Sequence, residues 1–365
     1  MGDKKVKKIF KNLDEQVDLI IVKNSSEPFI DNNFFYATEL KRGLFEGCIA
    51  VLYPDGKISL LVSQLESESA NQPNLDVKVY KDGKEYKKLL SDALKGSSKI
   101  GLNFSNISHS GYIGFKDFFS NKEFIDVSNS FLKSRAIKDS EEIRLISKAI
   151  EIAESTMNKI PEIIRNDMKE FELAAEINYL MQKHGADKPA FDTISSFGPN
   201  SSQPHYTQGD TILNSGDFIL CDFGACFQKY NSDMTRTFVY KQASEKQKKM
   251  HDVVYNAQKI AFEKIKPGIK AKEVHLSVEE YINKTEFSGC FIHGTGHSLG
   301  MDVHDGYVSF NSASDVELVE NMVITVEPGV YIPGFGGVRI EDDILVTSDG
   351  CRILSKINRD LIQIS

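Results

Sequence analysis

The chain has 365 residues, with 44 Lys and Arg against 52 Asp and Glu, which gives a formal net charge of −8. This balance excludes a general nucleic-acid or membrane-surface binder, because no net positive field attracts phosphates. The composition is that of a globular protein, and no apolar run approaches the roughly 18 residues of a membrane span. The five cysteines are scattered and lack CxxC spacing, so we expect reduced thiols and a cytoplasmic location.

The first 130 residues show alternating strand and helix patterns, beginning with DLIIVKN and NFFYATE. The stretch CIAVLYPDGKISLLVS predicts a β-hairpin that turns at Asp55 and Gly56. Apolar residues at helical spacing in KEYKKLLSDALKG predict a helix with Gly96 at its C-cap, and KIGLNF predicts a short strand. Together these elements predict a mixed sheet.

A domain boundary is expected near residues 134–140. The sequence SRAIKDSEEIRLISKAIEIAE predicts a helix capped by Ser140, with Glu141 and Glu142 favourably placed in its first turn. A second amphipathic helix, FELAAEINYLMQKHG, follows, and from about residue 190 the sequence becomes rich in strands and glycine. We therefore expect one domain over residues 1–134 and another over residues 135–365.

The stretch CFIHGTGHSLGMDVH concentrates histidines among glycines. His293 and His297 stand four residues apart, but Gly294 and Gly296 between them would each cost a helix roughly 1 kcal/mol. A strand is favoured, because positions 293, 295 and 297 then share one face and the glycines let another backbone approach closely. Two histidines in a glycine-rich turn remain the alternative that this pattern leaves open.

Acidic residues interrupt strands that are otherwise apolar. In FILCDFGACFQKYNSDMTRTFVY, Asp222 interrupts the first of two strands and Asp233 opens the second. In MVITVEPGVY, Glu327 ends an apolar strand just before Pro328, whose ring favours an extended conformation there. Asp is depleted in strands and is almost never fully buried unless it is paired or bound to metal. For any one of these acids, an edge-strand or turn position is the alternative.

A further pattern strengthens the case for a metal site. In GGVRIEDDILVT, alternation puts Arg339, Glu341 and Asp343 on one face of a strand. Several carboxylates that converge without cations would repel one another and raise their pKa values, whereas two divalent ions cancel four negative charges. An oxygen-rich donor set with one imidazole suits Mn²⁺, Co²⁺ or Zn²⁺.

These motifs resemble the pita-bread metallopeptidase family. The likeness is carried by DFG, by an Asp eleven residues after its Asp, and by HGTGH, VEPGVY and VRIEDD in that order. It is strongest to the Xaa-Pro branch, aminopeptidase P and prolidase, and it covers essentially the whole chain. The resemblance implies an α/β (α+β) fold with a creatinase-like N-terminal mixed-sheet domain. A C-terminal pita-bread domain, with an antiparallel sheet flanked by helices, follows.

The resemblance also implies two divalent metal ions per chain, which we expect to be Mn²⁺, with Co²⁺ or Zn²⁺ as alternatives. By this likeness Asp222 chelates one ion, and Asp233 and Glu341 bridge both. His297 and Glu327 complete the coordination of the second ion. The implied catalytic residues are His205, His293, His304, Glu327 and Arg339, and the implied substrate-binding residues are His205, His304 and Tyr331.

The implied substrates are small peptides with proline at the second position, and the implied assembly is a homodimer. Many prolidases have a His-Glu-Pro run with a nearby arginine that clamps the dipeptide carboxylate, but here His304 is followed by Asp-Gly-Tyr. No Lys or Arg occurs between Lys284 and Arg339. We therefore expect an Xaa-Pro aminopeptidase that accepts longer peptides. A prolidase restricted to dipeptides is the alternative, with a cation supplied by the N-terminal domain or a partner subunit.

Two other functions are weaker alternatives. An aminopeptidase with another preference, such as methionine, is disfavoured because such relatives generally lack this N-terminal domain. A non-catalytic pita-bread binding protein is disfavoured because all five expected ligands are present.

Overall fold

The computed structural model describes residues 2–72 and 75–365, which form two compact units, Met1–Arg135 and Ala136–Ser365. Each unit has its own sheet system. Among the described residues, no helix is long and apolar enough to cross a membrane. The five cysteines form no disulfide.

The first unit is built on a six-stranded sheet in the order β4-β3-β2-β1-β5-β6. Strand β2 pairs antiparallel with β1 and β3, whereas β3 with β4, β1 with β5, and β5 with β6 run parallel. The predicted mixed sheet is therefore confirmed. Its elements are α1 (Gly2–Lys11), β1 (Leu19–Lys23), α2 (Asn32–Thr38), β2 (Ile49–Leu52), β3 (Ile58–Ser63), β4 (Asp76–Tyr80), α3 (Gly83–Ala93), β5 (Lys99–Leu102), α4 (His109–Phe118), β6 (Glu123–Asp126) and α5 (Ser128–Ala136).

The predicted hairpin joins β2 and β3 in the register Leu52 opposite Ile58. Gly56 has a φ of +96°, a left-handed conformation that side chains rarely adopt, which explains the glycine at this turn. The helix predicted over KEYKKLLSDALKG is α3, but its C-cap is Leu94 rather than Gly96. Gly96 instead has a φ of +83° two residues further on, where the chain turns towards β5.

The second unit contains helices on an antiparallel sheet system. Its main sheet pairs β8, β9 and β12 antiparallel and adds β20 parallel to β12, and a second sheet pairs β15, β18 and β19 antiparallel. Its elements are α6 (Ser140–Met157), α7 (Ile160–Ile163), α8 (Glu170–Lys183), β7 (Lys188–Pro189), β8 (Ile194–Phe197), β9 (Phe218–Phe223), β10 (Ala225–Phe227), β11 (Tyr230–Asn231), β12 (Met234–Tyr240), α9 (Glu245–Lys264), α10 (Ala271–Asn283), β13 (Gly296–His297), β14 (Ser309–Phe310), β15 (Val323–Val326), β16 (Gly329–Ile332), β17 (Gly336–Arg339), β18 (Asp342–Val346), β19 (Cys351–Ile353) and β20 (Gln363–Ile364).

Helix α9 covers the back of the strands that carry the acidic residues. Met250, Val254, Ala257 and Ala261 recur at helical spacing and are fully buried. They belong to one core cluster with Val326 and Ile340, which directly precede Glu327 and Glu341. The apolar stripe of the helix therefore supports the backbone from which these two acids project.

The first helix of this unit begins at Ser140, but its N-cap is Asp139, so the predicted cap at Ser140 is wrong. The Asp139 carboxylate accepts from the Glu142 backbone N–H at 2.9 Å, and the Glu142 carboxylate accepts from the Asp139 N–H at 3.0 Å. This reciprocal capping box satisfies two backbone donors, which a cap at Ser140 would not do.

A buried ion pair connects the start of this unit to the histidine-rich loop. Lys138 Nζ lies 3.2 Å from Asp305 Oδ2, and each side chain is only 1% exposed. The Asp305 backbone is also held, since its N–H donates to Ser298 O at 2.9 Å. The charge of Asp305 is therefore matched inside the protein rather than by solvent.

Replacing Lys138 with Met keeps the aliphatic stem and removes the ammonium that faces a buried carboxylate. We expect this change to lower the free energy of unfolding by about 3–5 kcal/mol. The matched control is Lys284→Met, because Lys284 pairs with Glu280 on the surface, with side-chain exposures of 71% and 68%. Exposed pairs contribute at most about 1 kcal/mol. Urea unfolding of both variants measures the difference, and equal losses would contradict the expectation.

Candidate metal centre

The predicted acids and histidines converge on one cavity of about 480 Å³ in the second unit. Nine of the residues singled out from the sequence line it: His205, Asp222, Asp233, His293, His297, His304, Glu327, Arg339 and Glu341. Tyr331 is 3% exposed and lies behind the wall of this cavity. Residues that are up to 136 positions apart in the chain therefore share one site.

Neighbouring strands fix the positions of three of the four acids. Asp222 on β9 lies opposite Thr235 on β12, and Asp233 stands directly before β12. The Glu341 backbone N–H donates to Thr235 O at 3.1 Å, which joins the third acid to the same strand. Main-chain hydrogen bonds therefore bring Asp222, Asp233 and Glu341 to one edge.

Glu327 and His297 come from a second pair of segments. The Glu327 N–H donates to Thr295 O at 2.8 Å, and the His297 N–H donates to Thr325 Oγ1 at 3.1 Å. The predicted close approach at the glycines is confirmed, since a Cβ on Gly296 would lie 1.9 Å from Thr325 O. The predicted strand is shorter than expected, because it comprises only Gly296 and His297, and His293 precedes them in irregular chain.

Arg339, Glu341 and Asp343 do not share one strand, so that prediction is wrong. Strand β17 ends at Arg339 and β18 begins at Asp342, with Glu341 in the break between them. Asp343 is fully buried behind the cavity, where its Oδ2 accepts from the Asp233 backbone N–H at 3.1 Å. The break lets Glu341 and Arg339 face the site, whereas Asp343 supports it from behind.

Three of these residues offer ligand atoms close enough to hold one ion. A carboxylate oxygen of Asp233, a carboxylate oxygen of Glu341 and a ring nitrogen of His297 all lie within 4.8 Å of one another. His297 Nε2 is also 3.4 Å from Glu327 Oε1. The His297 Nδ1 contacts the Ser298 carbonyl oxygen at 3.2 Å, which can only accept, so Nδ1 carries the proton. The lone pair of Nε2 therefore faces the acids, as in a metal-ligating histidine.

The electrostatics of the acids indicate missing positive charge. Burial, and then repulsion by the neighbouring carboxylates, raises the pKa values of Asp233 and Glu341 well above their usual range. Burial also raises the pKa of Glu327 to about 8, although Arg339 opposes this rise. Among the described residues, Arg339 is the only Lys or Arg that lines the cavity. One cation does not balance four carboxylates, and divalent ions would supply the remaining charge.

Asp222 also has unused capacity for a ligand. Its Oδ2 accepts from Arg339 Nη2 at 2.5 Å, but its Oδ1 is buried and has no hydrogen-bond partner among residues 2–72 and 75–365. A buried carboxylate oxygen without a partner is costly. The donor chemistry and this orphaned oxygen therefore both fit a metal centre.

A hydrogen-bonded chain runs from Arg339 through Tyr331 to His293. Arg339 Nη1 donates to the Tyr331 hydroxyl at 2.8 Å, and that hydroxyl lies 2.8 Å from His293 Nε2. His293 Nδ1 contacts the Gly294 carbonyl oxygen at 2.7 Å and so carries the proton, which leaves Nε2 to accept from Tyr331. Burial lowers the pKa of His293 to about 3, so the ring is neutral. Both of its nitrogens are engaged.

His205 and His304 differ from the other two histidines because both are exposed at the cavity. The His304 ring lies 4.0 Å from the His297 ring, centroid to centroid. Burial, and then the neighbouring His205, lowers the pKa of His304. These two side chains are therefore free to contact a bound molecule.

Thr235 is a site residue that the sequence reasoning missed. Its hydroxyl accepts from Arg339 Nε at 3.0 Å and donates to Glu341 Oε2 at 2.7 Å. Thr237, two residues on, accepts from the Arg339 N–H at 3.1 Å and donates to the Arg339 carbonyl at 3.0 Å. The signal was present in the sequence, because Thr235 and Thr237 follow Asp233 at the period-two spacing of one strand face.

Comparison with known proteins agrees with this geometry. Residues 144–348 match metallopeptidase family M24, and residues 4–137 match the creatinase/prolidase N-terminal domain. A curated Xaa-Pro dipeptidase of Pyrococcus horikoshii is 38% identical over 363 residues, which is 99% of each chain.

Solved structures are also similar over nearly the full length. The prolidase from Pyrococcus horikoshii has a TM-score of 0.89 at 37% identity and covers 98% of this chain and 100% of its own. The X-Pro aminopeptidase from Thermotoga maritima has a TM-score of 0.89 at 29% identity and covers 95% and 98%.

The chain therefore belongs to metallopeptidase family M24. The predicted fold, a creatinase-like N-terminal domain followed by a pita-bread domain, is confirmed, and so is the assignment as a metallopeptidase. The chain also contains a cluster of acids and histidine that can hold metal.

The raised pKa of Glu327 predicts how the metal-free protein responds to pH. A carboxyl with a raised pKa binds more protons in the folded than in the unfolded state, so its stabilising contribution is lost as the pH rises towards the folded value of about 8. We expect stability to fall between pH 6.5 and 8, by at most about 1.4 kcal/mol per pH unit for one group. His293 and His297, with pKa values lowered to about 3 and about 4, act mainly below this window.

Thermal unfolding in the presence of a chelator, from pH 6.5 to 8, measures this loss. Glu327→Gln should show a shallower decline, because the amide does not titrate. Parallel declines in the wild type and the variant would show that another group is responsible.

Proposed function

We propose that this chain is a metal-dependent Xaa-Pro dipeptidase. The main support is its similarity over 99% of its length, at 38% identity, to a relative with that name. A second relative named Xaa-Pro dipeptidase, from Pyrococcus furiosus, is 38% identical over 86% of this chain. These relatives favour the dipeptidase over the longer-peptide aminopeptidase expected from the sequence. The convergence of four carboxylates and His297 supplies the donors that such a hydrolase needs.

The proposed centre holds two divalent ions. Asp222 would hold one, Asp233 and Glu341 would contribute to both, and His297 and Glu327 would hold the other. Oxygen donors with one imidazole favour Mn²⁺, with Co²⁺ or Zn²⁺ as alternatives. When bound, such ions neutralise the carboxylates, lower the pKa of water and polarise the scissile carbonyl.

The protein residues supply proton transfer and orientation. The bond before proline is a tertiary amide, so its nitrogen has no N–H to donate and must gain a proton to leave. Glu327, which lines the cavity beside the other proposed ligands, takes the proton of the attacking water and delivers it to that nitrogen. The exposed rings of His205 and His304 donate to the carbonyl oxygen and hold it in place.

The remaining groups shape the cavity and keep the acids in position. Phe191, Ile194 and Val303 line the same cavity as the acids and suit the apolar pyrrolidine ring. Arg339 and Tyr331 orient Asp222 and His293, respectively, through the hydrogen bonds described above. We assign Arg339, Tyr331 and His293 to positioning, because their polar atoms are already engaged with one another and with the wall.

An Xaa-Pro aminopeptidase that accepts longer peptides is the second candidate. The observation that favours it is the state of Arg339, the only Lys or Arg lining the cavity among the described residues, which already binds Asp222 and Tyr331. Lys138 is likewise already paired, since its ammonium is buried against Asp305. Among the described residues that line the cavity, no cation is therefore left for a dipeptide carboxylate. The clamp would have to come from outside the cavity residues described above.

A product assay separates the two candidates. We expect the Mn²⁺-loaded protein to cleave an Xaa-Pro dipeptide, to act weakly on an Xaa-Pro-Xaa tripeptide, and to leave Met-Ala-Ser intact. Mass spectrometry of the products measures all three in parallel. Preferential cleavage of the tripeptide would establish the aminopeptidase instead. No cleavage of either proline peptide by metal-loaded protein would contradict both.

Asp233→Asn and Glu341→Gln should abolish metal binding and turnover together. Each change replaces a charged ligand by a neutral amide of similar size, so it also removes repulsion among the buried acids. The metal-free variants should therefore unfold at the same temperature as the metal-free wild type, or at a higher one. Metal content, turnover and unfolding temperature measure the three effects.

Glu320→Ala, an exposed acid in the same unit, is the control and should change none of the three. Full turnover in either ligand variant would refute the proposed ligand set. The homodimer and the cytoplasmic location stay predictions, which native mass determination and cell fractionation can test.

A further inference from the structure

His205 is carried by a segment with little regular structure. After β8 the chain forms a short 3-10 helix, Gly198–Ser202, and then runs through turns and irregular backbone over residues 203–211. His205 and Pro204 from this segment line the cavity, and His205 is exposed. Within the described part of the segment, no strand pairing fixes the residues on either side of His205. Something else must hold this histidine at the site.

Glu170 binds the chain on both sides of His205, at an entering leg (residues 197–200) and at a returning leg (residues 206–209). It is the first residue of α8 and is fully buried. Its Oε1 accepts from the Phe197 N–H at 2.8 Å and from Asn200 Nδ2 at 3.0 Å, both on the leg that enters the segment. Its Oε2 accepts from the Tyr206 hydroxyl at 2.7 Å and from the Gly209 N–H at 3.1 Å, both on the leg that returns.

The backbone of α8 adds to this attachment. The Glu170 N–H donates to Thr211 O at 3.2 Å, and the Phe171 N–H donates to Gly209 O at 3.1 Å. Asn200 Nδ2 also lies 2.9 Å from the Tyr206 hydroxyl, which connects the two legs directly. His205 is therefore the immediate neighbour of a tyrosine that is bound to the Glu170 carboxylate.

Neither helix capping nor metal chemistry accounts for Glu170. The N-cap residue of α8 is Lys169, whose backbone N–H donates to Glu172 Oε2 at 2.8 Å, and Glu170 is not among the residues that line the cavity. A fully buried carboxylate is costly unless donors satisfy it. Here all four donors come from residues 197–209, which include His205, so this stretch of chain satisfies the buried carboxylate.

We propose that Glu170 is a positioning residue for His205. Its two carboxylate oxygens hold the entering and the returning leg of residues 197–209, and so keep the imidazole at the substrate carbonyl. This inference rests on the proposed role of His205. Glu170→Gln keeps the size of the side chain, but the amide nitrogen cannot accept, so one leg loses its acceptor and meets a donor instead.

The test combines Glu170→Gln with His205→Ala in a double-mutant cycle, using the metal-loaded protein and an Xaa-Pro dipeptide. We expect Glu170→Gln to lower kcat/KM by about tenfold to a hundredfold, as for a small misplacement of a reacting group, without changing metal content. In the His205→Ala background the same change should cause no further loss, because the residue it positions is gone. A purely structural role for Glu170 would lower kcat/KM equally in both backgrounds, and that result would overturn the proposal.

Glu176→Gln on the same helix is the matched control and should leave kcat/KM unchanged. If Glu170→Gln does not fold, Tyr206→Phe takes its place, since it removes one of the four donors and leaves the carboxylate. It should lower kcat/KM severalfold, and only when His205 is present. A loss that persists in the His205→Ala background would overturn the proposal here too.

The outcomes also separate this inference from the proposed function. If His205→Ala lowers kcat/KM and neither Glu170→Gln nor Tyr206→Phe does, only the positioning role is wrong. If His205→Ala has no effect, the proposed role of His205 fails and the positioning role fails with it.

Discussion

Mutual repulsion among four clustered carboxylates is the constraint on which the second unit depends. Asp222, Asp233, Glu327 and Glu341 share one cavity, and burial and proximity raise the pKa values of the last three. Such an arrangement destabilises the folded state unless cations compensate the negative charge. The excess negative charge is therefore best understood as a preorganised metal centre, in which Arg339 is the one Lys or Arg among the described residues of the lining.

The acids stay together because rigid backbone holds them. Strand β9 supplies Asp222, Asp233 directly precedes β12, and the break between β17 and β18 turns Glu341 towards them. The hydroxyl of Thr235 joins Glu341 to Arg339, while Asp343 accepts from the Asp233 backbone. Helix α9 packs its apolar stripe behind these segments. Ligands mounted on strands and fixed by such neighbours keep their geometry better than ligands on loops.

The side of the cavity that we propose binds the substrate is built differently. His205 and His304 stand on irregular segments, and each segment is attached by a buried charge, Glu170 in one case and the Lys138–Asp305 pair in the other. Loops provide reach towards a substrate, but they need fixed anchors to hold a precise position. Asp305, which follows His304, is paired with Lys138, so the Lys138 ammonium is not available to a dipeptide carboxylate.

Many of the fold elements and site residues of this protein are determined by the sequence alone, because the patterns that predict them are local. The Asp55-Gly56 hairpin, and the acids that interrupt apolar strands, depend on neighbours within a few residues. Two local predictions were wrong. The helix cap was assigned to Ser140, but it is Asp139 that accepts from the Glu142 N–H. The strand expected through Arg339, Glu341 and Asp343 is interrupted between β17 and β18. Only the tertiary structure decided the attachments of Glu170, Lys138 and Thr235, whose partners lie as far as 167 positions away. No periodicity in a chain specifies such contacts, because they exist only once its packed elements bring distant residues together.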